Sequence, residues 1–322
     1  MTQTVVAVDI GGTHARFAVA TIDGRCVVAL GEATTLRTAD FASFQNAWAA
    51  FAREQDAMPR QVAIAIAGTA DGDIVSFTNN PWSFRPALLD EQLKIERHML
   101  LNDFEAVAHA VGQADAHYFE PLCGPDVALP SDGVISVLGP GTGLGVAQLW
   151  RDSHGYRVQA TEGGHIEFAP TDRIEDALLA RLRKRHRRVS VERIVAGPGI
   201  VDIYETLASL EGRAVTQIDD RTIWTRAMAG EDGLAVAAAD RFCLSLGSVA
   251  GDLALAQGAG GVVIAGGLGL RIRNMLLRSG FAERFRAKGR FEAWMAAIPV
   301  KLITHPQPGL FGAAAAFALK HG

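Results

Sequence analysis

Two stretches of this chain repeat one pattern: an apolar run, a glycine-rich turn and a second apolar run. In the first, residues 4–8 (TVVAV) and 16–20 (RFAVA) flank Asp9-Ile10-Gly11-Gly12-Thr13-His14. In the second, residues 134–150 (VISVLGPGTGLGVAQLW) enclose Gly139-Pro140-Gly141-Thr142-Gly143-Leu144-Gly145. Glycine turns between β-prone runs predict hairpins. A dinucleotide fingerprint needs a helix directly after its glycines, and both clusters here run into another strand. No GxxxxGK[ST] sequence occurs either. Exposed backbone N–H groups and small hydroxyls on such turns suit the gripping of phosphates without a Walker lysine. A plain tight hairpin is the competing reading for either cluster taken alone. The likeness of the two hints at an internal duplication.

Between and after these units, strand-like and helical patterns alternate. Helices are expected at 42–55, 88–94, 105–111, 173–187, 200–210 and 234–257, and strands at 62–67, 99–101 and 262–265. That alternation implies an α/β architecture with helices covering mixed sheets. The stretch 112–133 is rich in Pro and Gly and is the candidate crossing between two domains. At 322 residues the chain exceeds the usual size of a single core, which favours two.

Composition narrows the function class. Hydrophobic residues make up 49% and charged residues 20%, ordinary for a globular enzyme, and a net charge of −4 argues against general affinity for nucleic acid or anionic membrane. Cys26, Cys123 and Cys243 lie far apart with no CxxC pair, so a reducing compartment fits and neither zinc ribbon nor disulfide framework is suggested. The opening MTQTVVAVDIGG lacks the charged start and long apolar run of a signal peptide. The most apolar stretch, 242–267, contains Asp252, Gln257 and many glycines, so it predicts a buried helix and strand rather than a membrane span. The basic run 181–188 follows an apolar stripe of Ile174, Leu178 and Leu182, and its charges read as a solvated face.

Asp9-Ile10-Gly11-Gly12-Thr13, with Gly141-Thr142-Gly143 and Ala265-Gly266-Gly267, resembles the two phosphate motifs and the adenosine motif of the sugar kinase/actin/Hsp70 ATPase fold. More narrowly, the chain resembles the bacterial glucokinase family. The matching segments are VDIGGTHARFAVA, Phe77-Thr78-Asn79-Asn80-Pro81-Trp82, LLNDFEAVAHA, LGPGTGLGVA, TEGGHIEFAP, RVSVERIVAGPGI, IAGGLG and PQPGLFGAAAA, in the family's order.

The resemblance implies a two-domain actin-like α/β fold hinged about a cleft. Residues 1–112 with 306–322 would form the smaller domain and 113–305 the larger. It implies ATP-dependent phosphorylation of glucose to glucose 6-phosphate, at the entry to glycolysis, by a cytoplasmic enzyme that takes ATP and Mg²⁺ but no zinc. A homodimer is left open. By the same resemblance Asp103 is the catalytic base, and Asn102, Glu162, His165 and Glu192 contact the sugar, with Asn79 and the Gly68-Thr69 loop lining the same pocket. Gly11, Gly12, Thr13, Arg16, Gly141, Thr142, Gly143, Gly266 and Gly267 would hold the nucleotide. Asp9 would face Mg²⁺ through water, since Mg²⁺ keeps much of its hydration shell in phosphate sites. His14 stands where many members carry Asn, and the Gly68 loop lacks the Cys-Pro of some.

The residues themselves agree with these roles. A sugar pocket needs acceptors for hydroxyl protons, and carboxylates make the stronger, charge-assisted bonds. Glu162 and His165 share a glycine-rich turn, and Glu192 precedes a strand-like apolar run. Asp103, between a strand end and a helix start, reads equally as an N-cap and as a ligand group at the carboxyl end of a strand. Among rivals, other hexose kinases of the ROK group carry a zinc-binding cysteine cluster after the ExGH segment, and here no cysteine follows His165 until Cys243. Sugar-sensing repressors add a helix-turn-helix ahead of the first strand, which this chain enters by Val5. A polymerising actin-like ATPase would have no use for the sugar-site cluster.

Overall fold

The computed structural model describes residues 2–322 apart from 69–71, 78, 79, 215 and 216. The chain forms two units, one comprising Met1–Asp115, Val158–Ala160 and His305–Gly322, the other Ala116–Arg157 and Thr161–Thr304.

The first unit opens with an antiparallel hairpin of β1 (Thr2–Ile10) and β2 (His14–Asp23), joined by the first glycine turn. β3 (Cys26–Leu30) and β4 (Thr34–Arg37) both pair with β2. Then follow α1 (Phe44–Arg53), β5 (Gln61–Ile66), a small hairpin of β6 (Val75–Phe77) and β7 (Asn80–Phe84), α2 (Leu89–Leu93), β8 (Arg97–Asn102) and α3 (Asp103–Gln113). β5 pairs parallel with β1 and β8 parallel with β5, so the strand order is β3-β2-β1-β5-β8.

Side chains on β1 alternate between the two faces of this sheet, as strand geometry dictates. Val6, Val8 and Ile10 pack with Phe17, Phe44, Phe51 and Trp82 on one face, the Phe17 and Phe51 ring centroids 5.1 Å apart. Val5 and Ala7 pack with alanines of β5 and of the last helix on the other.

The second unit repeats the plan. β9 (Phe119–Cys123) leads to β10 (Gly133–Pro140) and β11 (Leu144–Asp152), an antiparallel hairpin about the second glycine turn; β12 (Gly155–Thr161), whose residues Val158–Ala160 group with the first unit, is the edge strand beside β11. Helices α4 (Arg173–Arg183), α5 (Gly199–Leu210), α6 (Asp220–Ala229) and α7 (Gly233–Gln257) precede β13 (Ala259–Ile264). After α8 (Gly266–Arg271), α9 (Arg273–Arg278), α10 (Phe281–Arg286) and α11 (Glu292–Ala296) comes β14 (Val300–Ile303). The order is β12-β11-β10-β13-β14-β9, with β10, β13 and β14 parallel. Its first five strands reproduce the topology of the first unit, so the resemblance between the two glycine hairpins extends to whole sheets. α12 (Pro308–His321) belongs to the first unit and crosses α3 so closely that a Cβ on Gly312 would lie 1.7 Å from the Ala106 carbonyl oxygen.

The passage from the first unit to the second falls at Asp115–Ala116, inside the 112–133 stretch, which also holds β9, an edge strand antiparallel to β14; Pro121 is tolerated because an edge strand leaves one row of N–H groups unpaired. Two sequence expectations need correction. α4 ends at Arg183 rather than running to 187, because consecutive cationic side chains offer no apolar face to bury. The residues after Glu192 are not a strand: Val191–Arg193 is a 3₁₀ turn that leads into α5. α7, apolar on nearly every side, is the buried centre of the second unit, as such a helix must be in a packed core.

Candidate active site

In the first unit the parallel strands β1, β5 and β8 finish on one edge, with Ile10, Ile66 and Asn102 in one register row. Asp9 stands one residue inside that edge, and its partner across the antiparallel ladder is Arg16. That register brings Arg16 Nη1 to 3.2 Å from Asp9 Oδ2. Burial pushes the Asp9 carboxyl above its ordinary value, and the neighbouring guanidinium offsets this only in part. The first turn of α12 closes over the same carboxylate, since a Cβ on Gly309 would approach Asp9 Oδ2 to 2.9 Å.

The glycine turn beside Asp9 is braced from outside. Gly11 N–H donates to His14 O at 2.9 Å. Thr38, 3% exposed, donates its hydroxyl to Gly12 O at 3.1 Å and its amide to Thr13 O at 3.0 Å. The buried Asn80 donates to Gly11 O at 3.4 Å and accepts from the Trp82 amide at 2.9 Å. Local sequence pattern points to neither Thr38 nor Asn80; the one usable signal is the NNPW segment, in which the resemblance implies a role for Asn79 instead.

At the end of β8 the two readings of Asp103 separate. The helix cap is Asn102: its Oδ1 accepts the Phe104 amide at 2.8 Å and the Glu105 amide at 3.2 Å, and Glu105 returns a bond to the Asn102 amide at 3.4 Å. This is a capping box, which satisfies donors left open at a helix start. Asp103 is therefore the first residue of α3, where the helix dipole favours a negative charge. Asn102 Nδ2 also donates to Gly68 O at 3.1 Å, tying the loop after β5 to the end of β8. Thr69 and Asn79 lie outside the described residues.

The second unit groups its own set. Gly141 N–H donates to Gly143 O at 2.8 Å, and Gly197 N–H donates to Gly141 O at 2.8 Å from the loop before α5. Trp224 in turn holds Gly197 O at 2.9 Å. Glu192 Oε2 accepts the Leu144 amide at 2.9 Å and would lie 2.5 Å from a Cβ on Gly143, so a side chain there would evict it. A carboxylate assigned to the sugar is thus seated against the phosphate-type turn. Gly266, at φ +83°, starts α8 hard against Pro140, its would-be Cβ 2.8 Å from Pro140 O; Gly267 is exposed beside it.

Glu162 precedes the short turn Gly163–His165 and His165 ends it, with His165 Nε2 3.8 Å from Glu162 Oε2 and both side chains largely exposed. The two glycines between them are required by space. A Cβ on Gly164 would strike Leu144 O at 2.2 Å, so this turn sits directly on the start of β11. Residues 166–168 pair with 189–191 through Val191 N–H to Ile166 O at 2.9 Å and Phe168 N–H to Val189 O at 3.0 Å. His165 and Glu192 thereby sit just beyond the two sides of one short ladder.

Among the described residues no cluster of three or more His, Cys, Asp or Glu could cage a metal. Asp9 offers one hard oxygen donor with Oδ2 engaged by Arg16, which fits a Mg²⁺ that keeps its waters and leans on substrate phosphates.

The family model described as Glucokinase matches residues 6–320. The chain is 59% identical over 318 residues to the glucokinase of Zymomonas mobilis, covering 98% of each sequence. It superposes on the crystal structure of a glucokinase from an Antarctic psychrotroph with a TM-score of 0.86 at 35% identity, covering 98% of both chains. The glucokinase of Balamuthia mandrillaris, crystallised in complex with glucose, shares the fold with a TM-score of 0.78 at 23% identity, over 99% of this chain and 94% of that one. The architecture is that of the sugar kinases and actin-like ATPases, and the chain belongs to the bacterial glucokinase family.

Proposed function

We infer that this protein transfers the γ-phosphoryl group of ATP to the 6-hydroxyl of D-glucose, giving glucose 6-phosphate and ADP at the entry to glycolysis. The observation that carries this is the 59% identity to a glucokinase across 98% of both sequences. Within each unit, the part-buried Asp9–Arg16 pair, the Asn102 capping box and the seat of Glu192 against the 141–143 turn support it.

Asp103, oriented by the Asn102 cap, accepts the proton of the attacking hydroxyl. The new bond forms between that oxygen and the γ-phosphorus, the bond to the β–γ bridging oxygen breaks, and ADP leaves with the electron pair. Such transfer runs through a loose transition state, so a carboxylate of ordinary basicity is enough to orient the hydroxyl and take its proton late. Asn79, Asn102, Glu162, His165 and Glu192, with the Gly68-Thr69 loop, receive the remaining hydroxyls. The turns at 11–13 and 141–143 and Arg16 receive the phosphates, and Gly266-Gly267 the adenosine. Asp9 would hold Mg²⁺, and the metal would supply neutralisation of phosphate charge. The enzyme works in the cytoplasm without zinc, as a monomer or homodimer.

A coupled assay of ADP release over glucose, mannose, fructose and N-acetylmannosamine tests the reading. Glucose is expected to give the highest kcat/KM by more than tenfold; a preferred substrate other than glucose would overturn it.

A further inference from the structure

The basic run 181–188 carries six Lys and Arg side chains that the catalytic reading leaves without a task. The structure sorts them. Arg181 pairs with Asp202 and Glu205, and Arg185 with Asp202, fastening the end of α4 to α5. Arg183 and Arg187 have no ion-pair partner among the described residues, and both line a cavity of ≈ 590 Å³ with Arg188. The cavity wall is completed by Phe168, Leu179 and Val189, with Glu167 as its one acidic group. Phe168, Leu179 and Val189 are themselves buried. Three guanidinium groups against one carboxylate, over an apolar floor, form a recess with net positive charge inside a protein whose overall charge is −4. Arginine is the side chain best suited to bind phosphate oxygens in pairs. The volume is in the range of small-molecule sites and far exceeds a bare ion.

We propose that this cavity is a binding site for a phosphate monoester, its phosphate held by Arg183, Arg187 and Arg188. The third arginine connects the cavity to the turn that carries His165. Arg188 Nε lies 2.5 Å from Glu167 Oε1, and its Nη2 donates to the His165 carbonyl oxygen. A phosphate in the cavity competes with Glu167 and His165 O for that guanidinium. The segment with His165 then loses an anchor, and glucose affinity falls. This coupling rests on the assignment of Glu162 and His165 to the sugar, whereas binding in the cavity does not.

Glycerol 3-phosphate and inorganic phosphate serve as probes, titrated calorimetrically into the intact enzyme at constant ionic strength set with chloride, without ATP or sugar. Glycerol 3-phosphate is expected to bind more tightly than inorganic phosphate, and the exposed pair Arg183→Gln/Arg187→Gln to weaken it by at least tenfold. In steady-state kinetics the monoester is expected to raise the glucose KM about fivefold, the low end of ordinary coupling between sites, in the parent protein only. An isotherm unchanged by the double substitution overturns the site, as does failure of glycerol 3-phosphate to bind. Binding that leaves the glucose KM unmoved, in an enzyme that does phosphorylate glucose, overturns the role of Arg188. A rise in the ATP KM that is equal in both proteins would place the anion at the nucleotide turns and count against the cavity.

Discussion

Asn102 does two jobs with one amide. Its oxygen caps α3 and its nitrogen holds Gly68 O, so substitution can separate them. Asn102→Ala is expected to cost about 1 kcal/mol of stability, the usual value of an N-cap, and to raise the glucose KM. Asn102→Asp keeps the cap, because Asp accepts the same amides, but loses the donor to Gly68. Thermal melts should therefore show Asn102→Asp close to the parent, while its glucose KM stays high. If the Asp variant recovers both, the bond to Gly68 has no bearing on the site.

Asp9 shows the opposite balance, a largely buried carboxylate whose charge lowers stability and to which the proposed function gives the metal. Burial outweighs Arg16, so the folded chain binds the Asp9 proton more tightly than the unfolded chain does. Stability from this group is therefore fully present below the ordinary carboxylate value and is lost as pH rises through the raised one. At pH 8 Asp9→Asn is expected to melt higher than the parent while losing Mg²⁺-dependent turnover, with the gap in melting temperature closing on acidification. A lower melting temperature at pH 8 would show that the pair with Arg16 outweighs desolvation.

Among elements, the two glycine hairpins were legible because glycine turns between apolar runs admit few other folds, and α7 followed by β13 was legible from its apolar length. The cap of α3 was not. Asn and Asp are nearly equal caps, so the dipeptide Asn102-Asp103 leaves open which of them holds the helix and which is its first residue. β9 was hidden by Pro121, and the braces Thr38 and Asn80 act on the first turn from 26 and 69 residues away, a separation no local pattern records. The seat of Glu192 was invisible for the same reason, and it gives an element-scale test. Gly143→Ala places a methyl where Glu192 Oε2 now lies, so one methyl is expected to raise the KM values for ATP and glucose together. Displacement of a charged acceptor costs about 1–3 kcal/mol, so each KM should rise roughly 5- to 150-fold. A change in the ATP KM alone would mean that Glu192 does not join the two functions.

At the scale of the whole molecule, two units of like sheet topology each hold their own set of groups, in the first at the carboxyl ends of parallel strands, where α/β sheets place ligands. The first carries Asp9, Gly68, Asn102 and Asp103; the second carries the 141–143 turn, Glu162, His165 and Glu192. In an enzyme built this way one carboxylate can be removed without disturbing the rest. Asp103 is not the cap, so Asp103→Asn leaves the capping box in place and should fold, its interaction with the helix dipole being worth about 1 kcal/mol or less. The most direct measurement takes melting temperature, equilibrium glucose affinity and kcat on one preparation of Asp103→Asn. General-base removal should lower kcat about 10²–10⁴-fold while glucose affinity changes far less and the melt stays near that of the parent. A folded variant that binds glucose and turns over at the parent rate would contradict Asp103 as the base.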